Sequence, residues 1–263
     1  MVPSPAAPDL GEPVLAELPA SLVAHPAFAP YLPYYPPDVE GSPRLVAAPA
    51  RSAGALAYER AIVEEDRLHI RPADLHDTLN ALVWRAFPQA KRAISRLHVQ
   101  LGADPCAANA RPRRRDVLTL FDEAGLLLVS NSAAEMAACH AVHDWRALFV
   151  DARAQWGRAI QPIVFGHGAL EQMASSIARQ SRGIIPRGLT LKAIWLDAEA
   201  ALPHAEIDRR LAAAIAEGRH LAADERPLPL PVIGIPGWFA ESASDALYAD
   251  QTIFRPPRSA LRP

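Results

Sequence analysis

The distribution of proline sets the first limit on what this chain can fold into. Twelve of its 26 prolines fall within the first 50 residues. Proline fixes φ and removes a backbone donor, so that density rules out helix interiors and central strands. Yet the segment is no polar tail. "FAPYLPYYPP" carries Phe28, Tyr31, Tyr34 and Tyr35, and disordered segments are poor in aromatics. The expected arrangement is an extended arm over 1–52, lying on the body from about Pro26, followed by one globular domain over 53–263. The other use of such an arm is to recruit a protein partner.

Half of the 263 residues are hydrophobic, enough for a sizeable core. The net charge of −2 offers no bulk field for nucleic acid or an anionic membrane. Arginine outnumbers lysine 25 to 2, the mark of a GC-rich genome rather than of phosphate binding. The two cysteines, Cys106 and Cys139, have neither metal nor redox spacing. No basic start precedes an apolar run, and no stretch of about 18 apolar residues exists. A soluble, cytoplasmic protein with no membrane partner is expected.

Periodicity divides the body into helices and strands. "SAGALAYERAIVEED" reads as a short helix. "RPADLHDTLNALVWRAF" reads as a longer one, capped by Asp74, with Leu75, Leu79, Leu82 and Ala86 as its core stripe. Pro88 ends it and opens the next helix. "ADPCAANARPRRR" reads as a loop. Val117–Phe121 and Leu126–Val129 read as the strands of a hairpin turning at Gly125. Asn131 or Ser132, with Glu135, suggests a capping box. A helix from Asp144 comes next, then a strand in "IQPIVFGHG", a helix in "ALEQMASSIARQ", a strand in "GLTLKAIWLD" and a helix closed by Gly218. This order, without strict β–α alternation, predicts an α+β fold of helices packed around a small mixed or antiparallel sheet.

The phrases "NALVWRAFPQAK", "RRDVLTLFDEAGLLL", "DWRALFV", "VFGHGALEQ", "PLPVIGIPGWF" and "FRPPR" occur together and in this order. The set resembles an uncharacterised bacterial family catalogued as domain of unknown function three thousand and twenty-five. The resemblance spans most of the chain after the proline-rich start. It implies no activity, cofactor or catalytic residue.

Chemistry has two candidate centres. In "IVFGHGALEQ", His167 stands between two glycines and Glu171 follows one helical turn later. That spacing can put an imidazole and a carboxylate on one metal, or let the carboxylate orient a histidine base. The competing reading makes Gly168 the helix cap and Glu171 a charge favoured by the helix dipole. On the helix after Asp74, the face opposite the core stripe holds His76, Asp77, Asn80 and Trp84. That face calls for a ligand or a buried hydrogen-bond network. Trp238, in "GIPGW", would be a further apolar wall. His76, Asp77, Asp116 and Asp122 are candidate extra ligands for a metal whose identity, like any cofactor, stays open. Asp122 and Glu123 read as turn formers, and "RPRRR" as a solvated basic loop.

No GxSxG elbow, Walker loop or dinucleotide-binding glycine pattern is present. Two readings remain. One is an enzyme acting on a small polar molecule, with His167 and Glu171 as catalytic pair and His76, Asp77, Asn80, Trp84 and Trp238 as substrate contacts. The other is a non-catalytic binding or scaffold protein in which the same residues are structural. The first requires the two centres to converge on one cavity.

Overall fold

The computed structural model describes residues 12–49, 54–103, 111–180, 182, 184 and 187–256. Its architecture is α+β, with a four-stranded mixed sheet, a separate two-stranded sheet and surrounding helices. The expected starts of the arm and of the body, the residues 104–110 of the expected loop and the end of the C-terminal tail lie outside the described residues.

The proline-rich start is built into the body. Helix α1 (Ala20–Val23) leads into a 3-10 segment at Pro26–Tyr34, where Phe28 and Tyr31 are fully buried in the main core. The Tyr31 hydroxyl donates to the Val164 carbonyl. Ala16 N–H donates to Thr78 Oγ1 at 2.8 Å and Ala73 N–H to the Val14 carbonyl at 2.8 Å. Phe28 and Tyr31 are therefore turned inward, into the core.

The segment also holds an unexpected strand. Strand β1 (Arg44–Ala47), helix α2 (Ala55–Glu65) and strand β2 (Arg67–Ile70) form a parallel pair joined by a helical crossover. Four-residue strands are too short to declare a period of two. Leu45, Ile62, Leu68, Ile70, Ala81 and Trp84 make a second, smaller core beneath this pair.

Helix α3 (Leu75–Ala86) starts as expected, with the Asp74 carboxylate accepting from Asp77 N–H at 2.9 Å. Helix α4 (Pro88–Ala103) begins on its proline. The expected hairpin is replaced by helix α5 (Arg111–Ala124), which runs directly into strand β3 (Gly125–Ser130). Val117, Leu118 and Phe121 are buried while Thr119 and Leu120 are exposed. That i, i+1, i+4 pattern belongs to a helix face, although Val, Leu, Thr and Phe in sequence suggest a strand. "RPRRR" is accordingly the first turn of a helix, not a loop, and Gly125 makes no turn.

Helix α6 (Ala133–Ala141) follows, but Ser132 forms no side-chain cap, so the capping box does not form. The expected helix at Asp144 winds as a π-helical stretch over Arg146–Asp151. Strand β4 (Gln161–Val164), helix α7 (His167–Gln180), strand β5 (Thr190–Asp197), helix α8 (His204–Ala216) and strand β6 (Leu228–Pro231) complete the body. The sheet order is β4–β3–β5–β6, antiparallel at both edges and parallel at its centre. Leu126, Leu127, Leu128 and Val129 are all fully buried, so β3 is covered on both faces. At its start, the Gly125 carbonyl accepts from both Phe165 and Gly166 N–H at 2.9 Å. This junction pins the end of α5 beside the start of α7.

Candidate metal centre

Three helix ends meet at that junction. Helix α5 brings Asp122 and Glu123 in its last turn, α7 brings His167 as its first residue, and α3 brings His76 in its first turn. The glycines around His167 make the approach possible. A Cβ at Gly166 would stand 2.5 Å from the Glu123 carbonyl and the Gly125 nitrogen, and one at Gly168 would stand 2.6 Å from Glu123 Oε2. Both glycines are thus required by the closeness of α5, a stronger demand than starting a helix imposes. The helix begins at His167, so Gly168 is not its cap.

His76, Glu123 and His167 each offer a ligand atom within 4.8 Å of the others. His76 Nε2 lies 3.9 Å from Glu123 Oε2, and His167 Nε2 lies 3.5 Å from Glu123 Oε1. The two imidazoles cross edge to face with centroids 4.5 Å apart. Behind each stands a second carboxylate. Glu171 Oε2 bonds His76 Nδ1 at 3.0 Å, and Asp122 Oδ2 lies 3.7 Å from His167 Nδ1. That Nδ1 is buried and has no hydrogen-bond partner.

The electrostatics follow from these neighbours. The His167 imidazole beside it, then the charge of His76, hold the Glu123 carboxyl below the usual range against the opposing effect of burial. Burial works against the Asp122 charge too, but Lys91 and His167 outweigh it and keep that carboxyl low. Lys91 is 3% exposed, reaches Asp122 at 2.5 Å and lies over the Trp84 ring.

The trio sits in the wall of a cavity of about 700 Å³. The same cavity is lined by Asp77, Asn80, Tyr58, Glu59, His69, His98, Arg115 and Thr119. Asp77 is held by Arg71, at 2.9 Å to Nε and 2.7 Å to Nη2. Asn80 Nδ2 donates to the Tyr58 hydroxyl at 2.9 Å. Burial pushes the Glu59 carboxyl up, and its Oε2 has no hydrogen-bond partner.

His167, His76, Asp77 and Asn80 therefore share one cavity. The other expectations need correction. Glu171 pairs with His76 at 3.0 Å, while the carboxylates beside His167 are Asp122 and Glu123 of α5. Trp84 does not line the cavity; its position one turn past Asn80 carries it into the second core, where it backs Lys91. Trp238 is elsewhere, and its carbonyl accepts from His25 Nε2 at 2.8 Å, anchoring the N-terminal segment. Of the further metal candidates, Asp116 is exposed and does not line the cavity. Glu123 was hidden by the hairpin reading. As a helix, α5 places Arg115, Thr119 and Glu123 four residues apart on one face, a spacing the sequence displays.

A family model described as Protein of unknown function (DUF3025) matches residues 44–258. No curated protein and no solved structure matches the chain.

Proposed function

We propose, for a chain that belongs to the DUF3025 family of proteins of unknown function, that it is a divalent-metal-dependent hydrolase of small polar molecules. The observation that carries this reading is the trio His76, Glu123 and His167, with ligand atoms within 4.8 Å of one another and carboxylates behind both imidazoles. Two imidazoles and one carboxylate are a donor set of catalytic zinc sites, where ligands lie about 2.0–2.2 Å from the ion. Donor separations of 3.5 and 3.9 Å suit a shared ion. Three protein ligands beside a cavity leave a coordination position for water or substrate. A structural site would be closed by a fourth ligand.

The protein's own residues supply the rest. Glu171 holds the His76 ring by its outer nitrogen, and Asp122 faces the outer nitrogen of His167. Such second carboxylates orient imidazole ligands and raise their basicity. Lys91 keeps Asp122 charged. Asn80, tied to Tyr58, and Asp77, tied to Arg71, form fixed polar walls. The ion, when bound, would supply Lewis acidity for attack on a carbonyl or phosphoryl group. Convergence of the two candidate centres on one cavity also favours the enzyme over a scaffold.

We also propose a cytoplasmic location, which the unpaired Cys139 thiol favours. No helix among the described residues is long and apolar enough to cross a membrane.

Metal analysis of the purified full chain tests the function. About one divalent ion per chain is expected, lost in His167→Ala and in Glu123→Gln. Hydrolysis of an ester, amide or phosphoester panel should stop with chelator and return with zinc. A chain that takes up no ion while both histidines are intact would overturn the reading.

A further inference from the structure

Within the cavity the charged groups separate into those already matched and those that are not. Arg71 is matched by Asp77 and Asp74, and Asp122 by Lys91. Glu123 belongs to the candidate metal trio. Arg115 lines the same cavity, and among the described residues no carboxylate comes within ion-pair distance of it. Glu59 is the nearby acid; the guanidinium is felt at its carboxyl, yet the two form no ion pair, and burial of Glu59 favours its uncharged form. His98 is likewise pressed toward its neutral form by burial. With a divalent ion held at the trio, both ends of the cavity would be positive.

The two ends are joined by one helix. Arg115, Thr119 and Glu123 lie four residues apart on α5 and all line the cavity. At 1.5 Å per residue, Arg115 stands about 12 Å along the axis from Glu123. Its guanidinium presents donors in a fork that matches the oxygens of a carboxylate or phosphate, and the Thr119 hydroxyl adds another donor.

We infer that the substrate is an elongated anion whose carboxylate or phosphate end seats on Arg115 and Thr119 while its scissile bond lies at His76, Glu123 and His167. The inference rests on the metal-centre reading for the reacting end only. The anion seat stands on Arg115 and the cavity, and can be tested apart from it.

The experiment is calorimetric titration of the full chain, zinc-loaded and zinc-free. The probes are glutarate, the neutral glutaramide, 1,5-diaminopentane and inorganic phosphate. Glutarate or phosphate should bind, and the comparison of the two identifies the preferred oxyanion. Arg115→Gln should weaken that binding at least tenfold with zinc content unchanged, and Arg115→Lys should restore part of it. Equal binding of the diamide or diamine, no binding of either anion, or an Arg115→Gln affinity within twofold of the parent would each overturn the proposal. Arg115-dependent anion binding in a chain that holds no zinc would sink the metal reading and leave the anion seat standing. Tight zinc with no dependence on Arg115 would do the reverse.

Discussion

Two buried histidines in this protein are equally hidden from water and differently served. His140, on α6, is 0% exposed, and His167 is 4% exposed. The Trp195 indole N–H points at His140 Nδ1 at 3.4 Å, so the proton sits on Nε2, which donates to the Pro229 carbonyl at 3.0 Å. The Trp145 ring lies 5.5 Å away. Both nitrogens of the His140 ring are satisfied, one by the Trp195 indole and the other by the Pro229 carbonyl. His167 has two carboxylates at 3.5 and 3.7 Å, a second imidazole against its face and an orphan Nδ1. Burial does not separate the structural histidine from the candidate ligand. The difference lies in whether neighbours complete its hydrogen bonds or leave it able to take up something else.

The largest contrast is expected on deletion. His140→Ala strands the Trp195 N–H and the Pro229 carbonyl and leaves a void, which should cost about 3–5 kcal/mol. His167→Ala should change stability by less than about 1 kcal/mol in the metal-free chain, since residues of functional sites are often held at a cost. Urea denaturation of both variants checks this. Equal losses would erase the distinction between the two rings.

Acid should sharpen it. Burial lowers the His140 pKa to about 4, against a hydrogen bond to Pro229 that favours the charged form. Above pH 6.5 the ring is neutral in both folded and unfolded chains, and its stabilisation is complete. As pH falls from 6.5 toward 4 the unfolded chain takes the proton first, and stability is lost by about 3 kcal/mol. The buried His98 and the half-buried His204, both lowered by burial, act in the same direction. A melting profile against pH should therefore fall over this window, and His140→Gln should flatten it.

How far the sequence revealed these regions depends on periodicity. The cap at Asp74, the helix over α3 and the strand before His167 were legible because long elements with clear caps repeat their pattern several times. The convergence of His167 with His76 was not, since it depends on the Gly125 carbonyl joining two segments 40 residues apart. Glu123 and Arg115 were obscured by one local misreading: a β-rich composition in Val117–Phe121 concealed a helical burial pattern. The role of His140 was not legible either, because its partners, Pro229 and Trp195, come from distant strands.

The two glycines beside His167 divide stability from site geometry. At Gly166 a methyl group would strike backbone atoms of Glu123, Ala124 and Gly125 at 2.5–2.6 Å. The helix junction must then shift, and Gly166→Ala should cost about 1–3 kcal/mol. At Gly168 the nearest obstacle is the tip of the Glu123 side chain at 2.6 Å, which can swing aside, while the Glu123 carbonyl at 3.0 Å has to give by only a few tenths of an ångström. Gly168→Ala should therefore melt close to the parent yet lose most of its metal. If both substitutions cost the same stability and spare the ion, the glycines serve packing alone.

The smallest effect on stability belongs to Glu171, and it isolates the role of the carboxylate behind His76. Its side chain is about two-fifths exposed, at 43%, so its bond to His76 should contribute less than about 1 kcal/mol to folding. As the partner that orients an imidazole ligand, it should matter more to the ion than to the fold. Loss of such an outer carboxylate typically weakens metal binding about 10–100-fold. Glu171→Gln can still accept a hydrogen bond from His76 Nδ1 through its amide oxygen, so the ring stays in place while the charge is gone; its loss of affinity should sit at the lower end of that range. Glu171→Ala releases the ring as well and should fall at the upper end. Competition with a chelating zinc indicator measures both. Affinities indistinguishable from the parent in both variants would show that the Glu171 carboxylate is only a surface partner of His76, and would bring His76 closer to His140 in kind.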